Sequence, residues 1–219
     1  MQQDSTIPQQ HDYEYPPEEP RNRGSRDGES ALKSILSTVG IIIAAPLIAL
    51  LLINFVFQSY EVDGPSMEKT LDNGDRLIVL KMGKTIADIK NQPYIPDRGS
   101  IIIFHKSDTT EFGSTDRQLV KRVIGLPGER VLVREGRITI YNKDNPNGFN
   151  PDSNTDYQDN LPPSTMGNVD LTVPEGELFV AGDNRVNSLD SRTFGTITAD
   201  QVVGELVLRI YPFSNFESF

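Results

Sequence analysis

The sequence predicts a mainly β protein in which a single N-terminal transmembrane helix precedes a β-rich domain carrying a long polar insertion. Three observations predict it. Residues 34–60 contain no charged side chain. Downstream, short runs rich in Val, Ile and Leu are bounded by Gly, Pro and Asp, as strands are. Residues 142–170 are dominated by Asn, Asp and Pro, with hardly any apolar periodicity.

Composition narrows the function classes first. A chain of 219 residues, 37% hydrophobic and 24% charged, suits one packed domain with appendages. A formal net charge of −10 without a Lys/Arg cluster argues against nucleic acid as a partner. The absence of cysteine removes disulfides, thiol nucleophiles and thiolate metal sites. The two histidines, His11 and His105, are far apart and lack ligand spacing, so neither a metal nor another cofactor is expected.

The elements follow in order. Residues 1–33 are Gln- and Pro-rich at their start and acidic, and they bury too little apolar surface to offset the entropy of ordering, which predicts a disordered tail. Residues 34–57 are the predicted transmembrane helix. At about 1.5 Å per residue, Ile35 to Phe57 would reach roughly 34 Å, against a hydrocarbon core of about 30 Å. A buried core helix would show a polar stripe, whereas only Ser37, Thr38 and Asn54 interrupt this run. Pro46 could kink it, as membrane helices tolerate. The run is too long for the apolar region of a cleaved secretory signal, and no small-x-small site follows it. Arg21, Arg23, Arg26 and Lys33 on the N-terminal flank predict a cytoplasmic tail, with residues 58–219 on the extracytoplasmic side.

Within residues 58–219, strands are predicted at Arg76–Leu80, Ser100–Phe104, Leu119–Ile124, Arg130–Val133, Arg137–Tyr141, Leu178–Ala181 and Val202–Ile210. Lys84–Lys90 reads as a short helix, and Glu135-Gly136 as a hairpin tip. Residues 142–170 read as a surface insertion, with a lid or partner site as the other reading. Tyr211, Phe213, Phe216 and Phe219 near the C-terminus offer either packing or membrane contact.

Three segments carry candidate chemistry. Gly64-Pro65-Ser66-Met67-Glu68-Lys69-Thr70-Leu71 holds a serine on a Gly-Pro turn just past the apolar run, which is either turn punctuation or a nucleophile at the membrane surface. Leu119 to Ile124 puts Lys121 on a strand face with Leu119 and Val123. Burial there would lower the lysine pKa and make a usable base, whereas on an edge strand the same lysine would only snorkel. Gly182 to Gly195 contains Asp183 near Arg185 and Asp190 near Arg192, which reads as a charge-braced loop or as a solvated one.

Together with Arg98-Gly99-Ser100-Ile101-Ile102-Ile103-Phe104, and with Pro127-Gly128 after the lysine strand, these segments resemble the type I signal peptidases. Those are membrane-bound serine proteases that remove signal peptides from exported precursors. The resemblance covers about residues 35 to 212 and places four motifs in family order after a membrane span. The Pro-rich tail and the ending Arg209-Ile210-Tyr211-Pro212-Phe213 look most like cyanobacterial and plastid members.

The resemblance implies a signal-peptidase-like catalytic domain in which Ser66 is the nucleophile and neutral Lys121 the general base. It implies that Ser188 holds Lys121, that Asp190 and Arg192 brace the loop, and that Asp183, Arg185 and Arg122 support it. The Ser66 backbone N–H would serve the oxyanion. The implied partners are precursor proteins carrying signal peptides, cut after a small-x-small motif, and the lipid bilayer of a plasma or thylakoid membrane. Gly64 stands where some members carry a serine, and Lys69 where proline is common. Two other readings stay open: a Ser/His hydrolase using His105, and a catalytically inactive, membrane-anchored β domain that binds peptides.

Overall fold

A computed structural model describes residues 26–110, 113–153 and 155–219, and the chain divides into two compact units between Leu47 and Ile48. Helix α1, Arg26–Phe55, runs across that division. Its Lys33–Phe55 portion is long and apolar enough to cross a membrane. Ile41, Ile42 and Ile43 leave about two-thirds of their surface uncovered, which a core helix of a soluble protein would not do. Two of the polar interruptions are neutralised within the helix. Thr38 Oγ1 donates to the Ser34 carbonyl and Asn54 Nδ2 to the Leu50 carbonyl, each at 2.9 Å, so neither presents an unpaired polar group to lipid.

The helix is displaced from the predicted bounds at both ends. It starts at Arg26, inside the stretch expected to be a disordered tail, because a Lys- and Ala-containing lead-in can propagate a helix without being apolar. It stops at Phe55 because Phe57 already belongs to strand β1, Phe57–Glu61. Residues 1–25, with His11, lie outside the described residues.

The second unit is built from two antiparallel sheets. After β1 come β2 (Arg76–Leu80), helix α2 (Met82–Ile89), β3 (Ile101–Thr110), β4 (Gly113–Gly125), β5 (Arg130–Arg134), β6 (Arg137–Tyr141), β7 (Val169–Thr172) and β8 (Glu177–Ala181). Helix α3 (Ser191–Phe194), β9 (Ile197–Thr198), β10 (Val202–Tyr211) and β11 (Glu217–Ser218) complete it. The larger sheet has the order β1-β2-β10-β3-β4-β8-β9, with β11 added to β10, and the smaller runs β6-β5-β7. The predicted strands all appear, with β3 and β4 extended into a long ribbon. The hairpin tip is at Glu135 and Gly136, whose φ values of 53° and 78° are those a two-residue turn of the primed type needs.

Three apolar clusters hold these layers. Ile124, Val131, Ile138 and Phe179 pack the small sheet against the large one. Ile102, Phe104, Val123 and Val180 fill the centre of the large sheet. Val62, Met67, Leu71, Leu77 and Ile101 seat the segment around Ser66. Strand β4 lies between β3 and β8, so it is covered on both sides, and even Lys121 and Arg122 are only 2% and 5% exposed.

Candidate active site

Ser66 sits on a loop whose shape is fixed from below by burial of its neighbour Met67 and of Leu71, both fully covered. Backbone bonds from Leu71 N to the Met67 carbonyl at 2.8 Å and from Gly74 N to the Val62 carbonyl at 2.9 Å tighten the loop. Gly64 has φ +102°, a conformation that L side chains rarely adopt, which accounts for glycine at this position. Lys69 also has positive φ, +76°, which proline cannot reach because its ring fixes φ near −65°. The turn after Ser66 thus takes a shape that a proline at position 69 could not.

Strand β4 brings Lys121 to that loop. Lys121 Nζ lies 2.6 Å from Ser66 Oγ and donates to the Val120 carbonyl at 2.7 Å. Burial is the main influence on this amine and lowers its pKa to about 8, while the more distant charges of Asp190 and Asp183 act in the opposite direction. At pH 7 roughly one Lys121 in ten is then neutral, compared with about one in 2,500 for a free lysine. The pair opens onto a cleft of about 210 Å³ lined by Tyr60, Val62, Asp63, Leu77, Gln118 and Val120.

The loop after β8 clamps the serine from the other side. Asn184 N donates to the Ser66 carbonyl at 3.1 Å, and Asn184 Nδ2 to the Pro65 carbonyl at 3.0 Å. A Cβ at Gly182 would stand 2.4 Å from the Ser66 carbonyl and 2.2 Å from Ser188 Oγ. The hydroxyl could turn aside, but the backbone carbonyl could not. Gly182→Ala should therefore shift Ser66 and lower any activity that depends on it about 100-fold, as a misplacement of about 1 Å does, with the far-ultraviolet circular dichroism retained. Wild-type turnover in that variant would show that the approach at Gly182 is not needed.

The charged residues expected to brace this loop are all present, but their pairing differs from the sequence reading. Asp190 and Arg192 do pair, at 2.7 and 2.8 Å, and Gly182 N adds a 2.9 Å bond to Asp190. Burial alone would raise the Asp190 pKa, yet the Arg192 hydrogen bonds and charge hold it below the ordinary value. Asp183 instead takes a two-pronged bond from Arg122, at 2.9 and 2.6 Å. Arg185 pairs with Asp152, through two hydrogen bonds and with support from Thr165. Nearest-in-sequence pairing fails here because Arg185 is 1% exposed and points into the protein, towards a carboxylate that arrives from the insertion. Ser188 adjoins Gly182 and helps to lower the pKa of Asp190, but among the described residues its buried hydroxyl makes no well-formed hydrogen bond, and the polar neighbours of Lys121 Nζ are Ser66 and Val120.

The described residues of the insertion are tied to the rest of the domain at several points. Phe149 pairs with Ile140, Thr165 N donates to the Gly136 carbonyl at 2.8 Å, and Val169–Thr172 is strand β7. The Tyr157 ring stacks on the Arg122 guanidinium at 3.7 Å. Asp152 and Tyr157 are the functional-site residues that sequence reasoning missed. Their only signal was a pair of otherwise unremarkable side chains within a polar stretch. His105 is bonded to Asp116 at 3.2 Å and does not line the Ser66 cleft.

Comparison with known proteins shows the family of this chain. The family described as signal peptidase, peptidase S26, matches residues 35–211. Signal peptidase I S of Bacillus subtilis is 36% identical over 188 residues, covering 84% of this chain and 94% of its own length. Signal peptidase I T of the same organism is 36% identical over 176 residues, covering 79% and 83% respectively. A signal peptidase I crystal structure from Enterococcus faecalis aligns at 33% identity over 52% of this chain and 97% of its own, with a TM-score of 0.36.

Proposed function

The chain belongs to the signal peptidase family, peptidase S26, and from that premise we propose that it is a membrane-bound serine endopeptidase that removes signal peptides from exported precursors. The observation that carries the chemistry is the 2.6 Å contact between Ser66 Oγ and a buried Lys121 Nζ. In its neutral form the amine accepts the Ser66 proton as Oγ attacks the scissile carbonyl. It then returns that proton to the leaving amine, and water repeats the sequence on the acyl-enzyme. The Ser66 backbone N–H serves the oxyanion, a role in which one donor contributes about 3 to 4 kcal/mol. Gly64 supplies no side-chain donor.

Around this pair, Asp190 and Arg192 fix the loop, while Asp183 with Arg122 and Asp152 with Arg185 hold it against β4 and the insertion. The family resemblance gives Ser188 the positioning of Lys121, although the hydrogen bonds of Lys121 Nζ go to Ser66 and Val120. An extended precursor segment lies between residues 60–63 and Gln118–Val120 and adds its backbone to a strand edge. A cleft of about 210 Å³ suits small side chains one and three positions before the cut.

Cleavage is tested directly by incubating the detergent-solubilised chain with a precursor and mapping the new N-terminus. A cut after a small-x-small motif supports the reading, and binding without a cut refutes it. The apolar helix anchors the enzyme with its tail in the cytoplasm, on the strength of the four basic flanking residues. Protease added to sealed right-side-out vesicles should then reach the loop around Asn150. Protection of that loop would reverse the orientation. The Pro-rich tail and the Arg209–Phe213 ending are what favour a cyanobacterial or plastid placement within the family. A tree in which the chain groups with the bacilli would refute that placement.

A further inference from the structure

Helix α2 is amphipathic, and its apolar stripe is uncovered. Met82, Ile86 and Ile89 recur at i, i+4 and i+7, which is one helix face. They are 46%, 43% and 80% exposed, unusual for three aligned apolar side chains on a folded domain. The rest of α2 is accounted for. Gly83 abuts the Tyr94 ring, where a Cβ would come within 2.5 Å, and Lys84 reaches Asp88 and Asp200.

The position of α2 says what covers the stripe. Residues 48–56, the outer end of the apolar helix and the residue after it, belong to the same compact unit as α2. Their last carbonyls, which a helix end leaves without partners, are taken by this segment. Lys81 Nζ donates to the Asn54 carbonyl at 2.7 Å, Lys81 N to the Val56 carbonyl at 2.7 Å, and Thr85 Oγ1 to the Phe55 carbonyl at 3.1 Å. The lysine also places its positive charge at the negative end of the helix dipole. Thr85 is one residue from Ile86 and four from Ile89, so the side of α2 that grips the helix end borders its apolar stripe. Phe57, 41% exposed, adds to the same region through its pairing with Leu80. Lys81 and Lys90 flank the helix, as cationic side chains do at a headgroup layer.

The geometry points to α2 as an interfacial helix that lies in the outer headgroup layer, with Met82, Ile86, Ile89 and Phe57 in contact with lipid. This rests on the reading that Lys33–Phe55 spans the bilayer. The second contact fixes how the catalytic domain stands on the membrane, which a single helix with a flexible exit would leave free. Tyr211 does not serve this surface, because it pairs with Arg76, at the end of β2 opposite Leu80.

The chain has no cysteine, so single probes can be placed without background. Full-length Ile89→Cys, Ile43→Cys and Arg134→Cys variants, each labelled with an environment-sensitive fluorophore, would be reconstituted in phosphatidylcholine–phosphatidylglycerol vesicles. Each would be read with a lipid quencher near the headgroup and another near the acyl-chain end. Position 89 should lose most of its fluorescence to the shallow quencher and position 43 to the deep one, while position 134 loses none. If position 43 is quenched and position 89 behaves like position 134, the span stands and the interfacial helix is wrong. Quenching at position 134 equal to that at 89 also overturns it, since the contact would not be specific to α2. An unquenched position 43 removes the span and this proposal with it.

Discussion

Lys121→Met should abolish precursor cleavage and at the same time make the domain more stable at neutral pH. Both effects follow from one feature, an amine that is 2% exposed and whose pKa lies near 8. The unfolded chain keeps this lysine near its ordinary value of about 10.4, so between about pH 8 and 10.4 the unfolded state binds more protons than the folded one. Stability from this group therefore rises with pH across that window, and below it the full penalty applies. A depression of between 2 and 3 pK units corresponds to about 3 kcal/mol, which a methionine of similar shape avoids. Ser66→Ala should be equally inactive, with stability close to wild type. Lys121→Arg should fail too, because guanidinium cannot give up a proton in this range. Urea unfolding at pH 7 together with precursor processing checks the pair of effects. An active Lys121→Met variant would remove the base.

Asp152→Ala is the second large effect, and it lies in a stretch whose composition promises nothing. Arg185 is 1% exposed, and Asp152 supplies its carboxylate from the insertion. Removing one member of a buried pair strands the other charge, at a cost of about 3 to 5 kcal/mol. For a domain of this size that is a fall of roughly 10 °C in melting temperature. Activity should drop as well, because Arg185 Nε also holds the Gly182 carbonyl at 3.0 Å. Asp170→Ala is the control, since its pair with Arg130 is exposed and such pairs contribute little. Equal melting temperatures for the two variants would show that the insertion does not brace the site.

These two sites mark what was legible in the sequence and what was not. Runs such as Arg76–Leu80 and Arg137–Tyr141 name their own conformation, because β-branched residues between turn formers have few other places to go. Strand β1 was hidden because Phe57 continues the apolar run, and hydropathy cannot say where a helix hands over to a strand. Strand β7 was hidden because its exposed edge position lets Asp170 and Thr172 alternate with Val169 and Leu171, inside a stretch that reads as loop. Ser66 and Lys121 were recognisable from motif order, but their 2.6 Å approach depends on the β3–β4 register and on the clamp by Asn184. Charge pairs were the least legible. Asp183 and Arg185 are neighbours in the chain, yet each turns to a distant partner, because burial rather than proximity decides which charges must be matched.

The pH dependence of kcat/KM for precursor cleavage tests the central claim most directly, measured on wild type and on His105→Ala in the same membranes. With Lys121 as base, both rise with pH through a midpoint near 8, as the amine loses its proton. A rise centred near the ordinary histidine value of about 6.5, lost in His105→Ala, would contradict the Ser66–Lys121 pair and put a Ser/His hydrolase in its place.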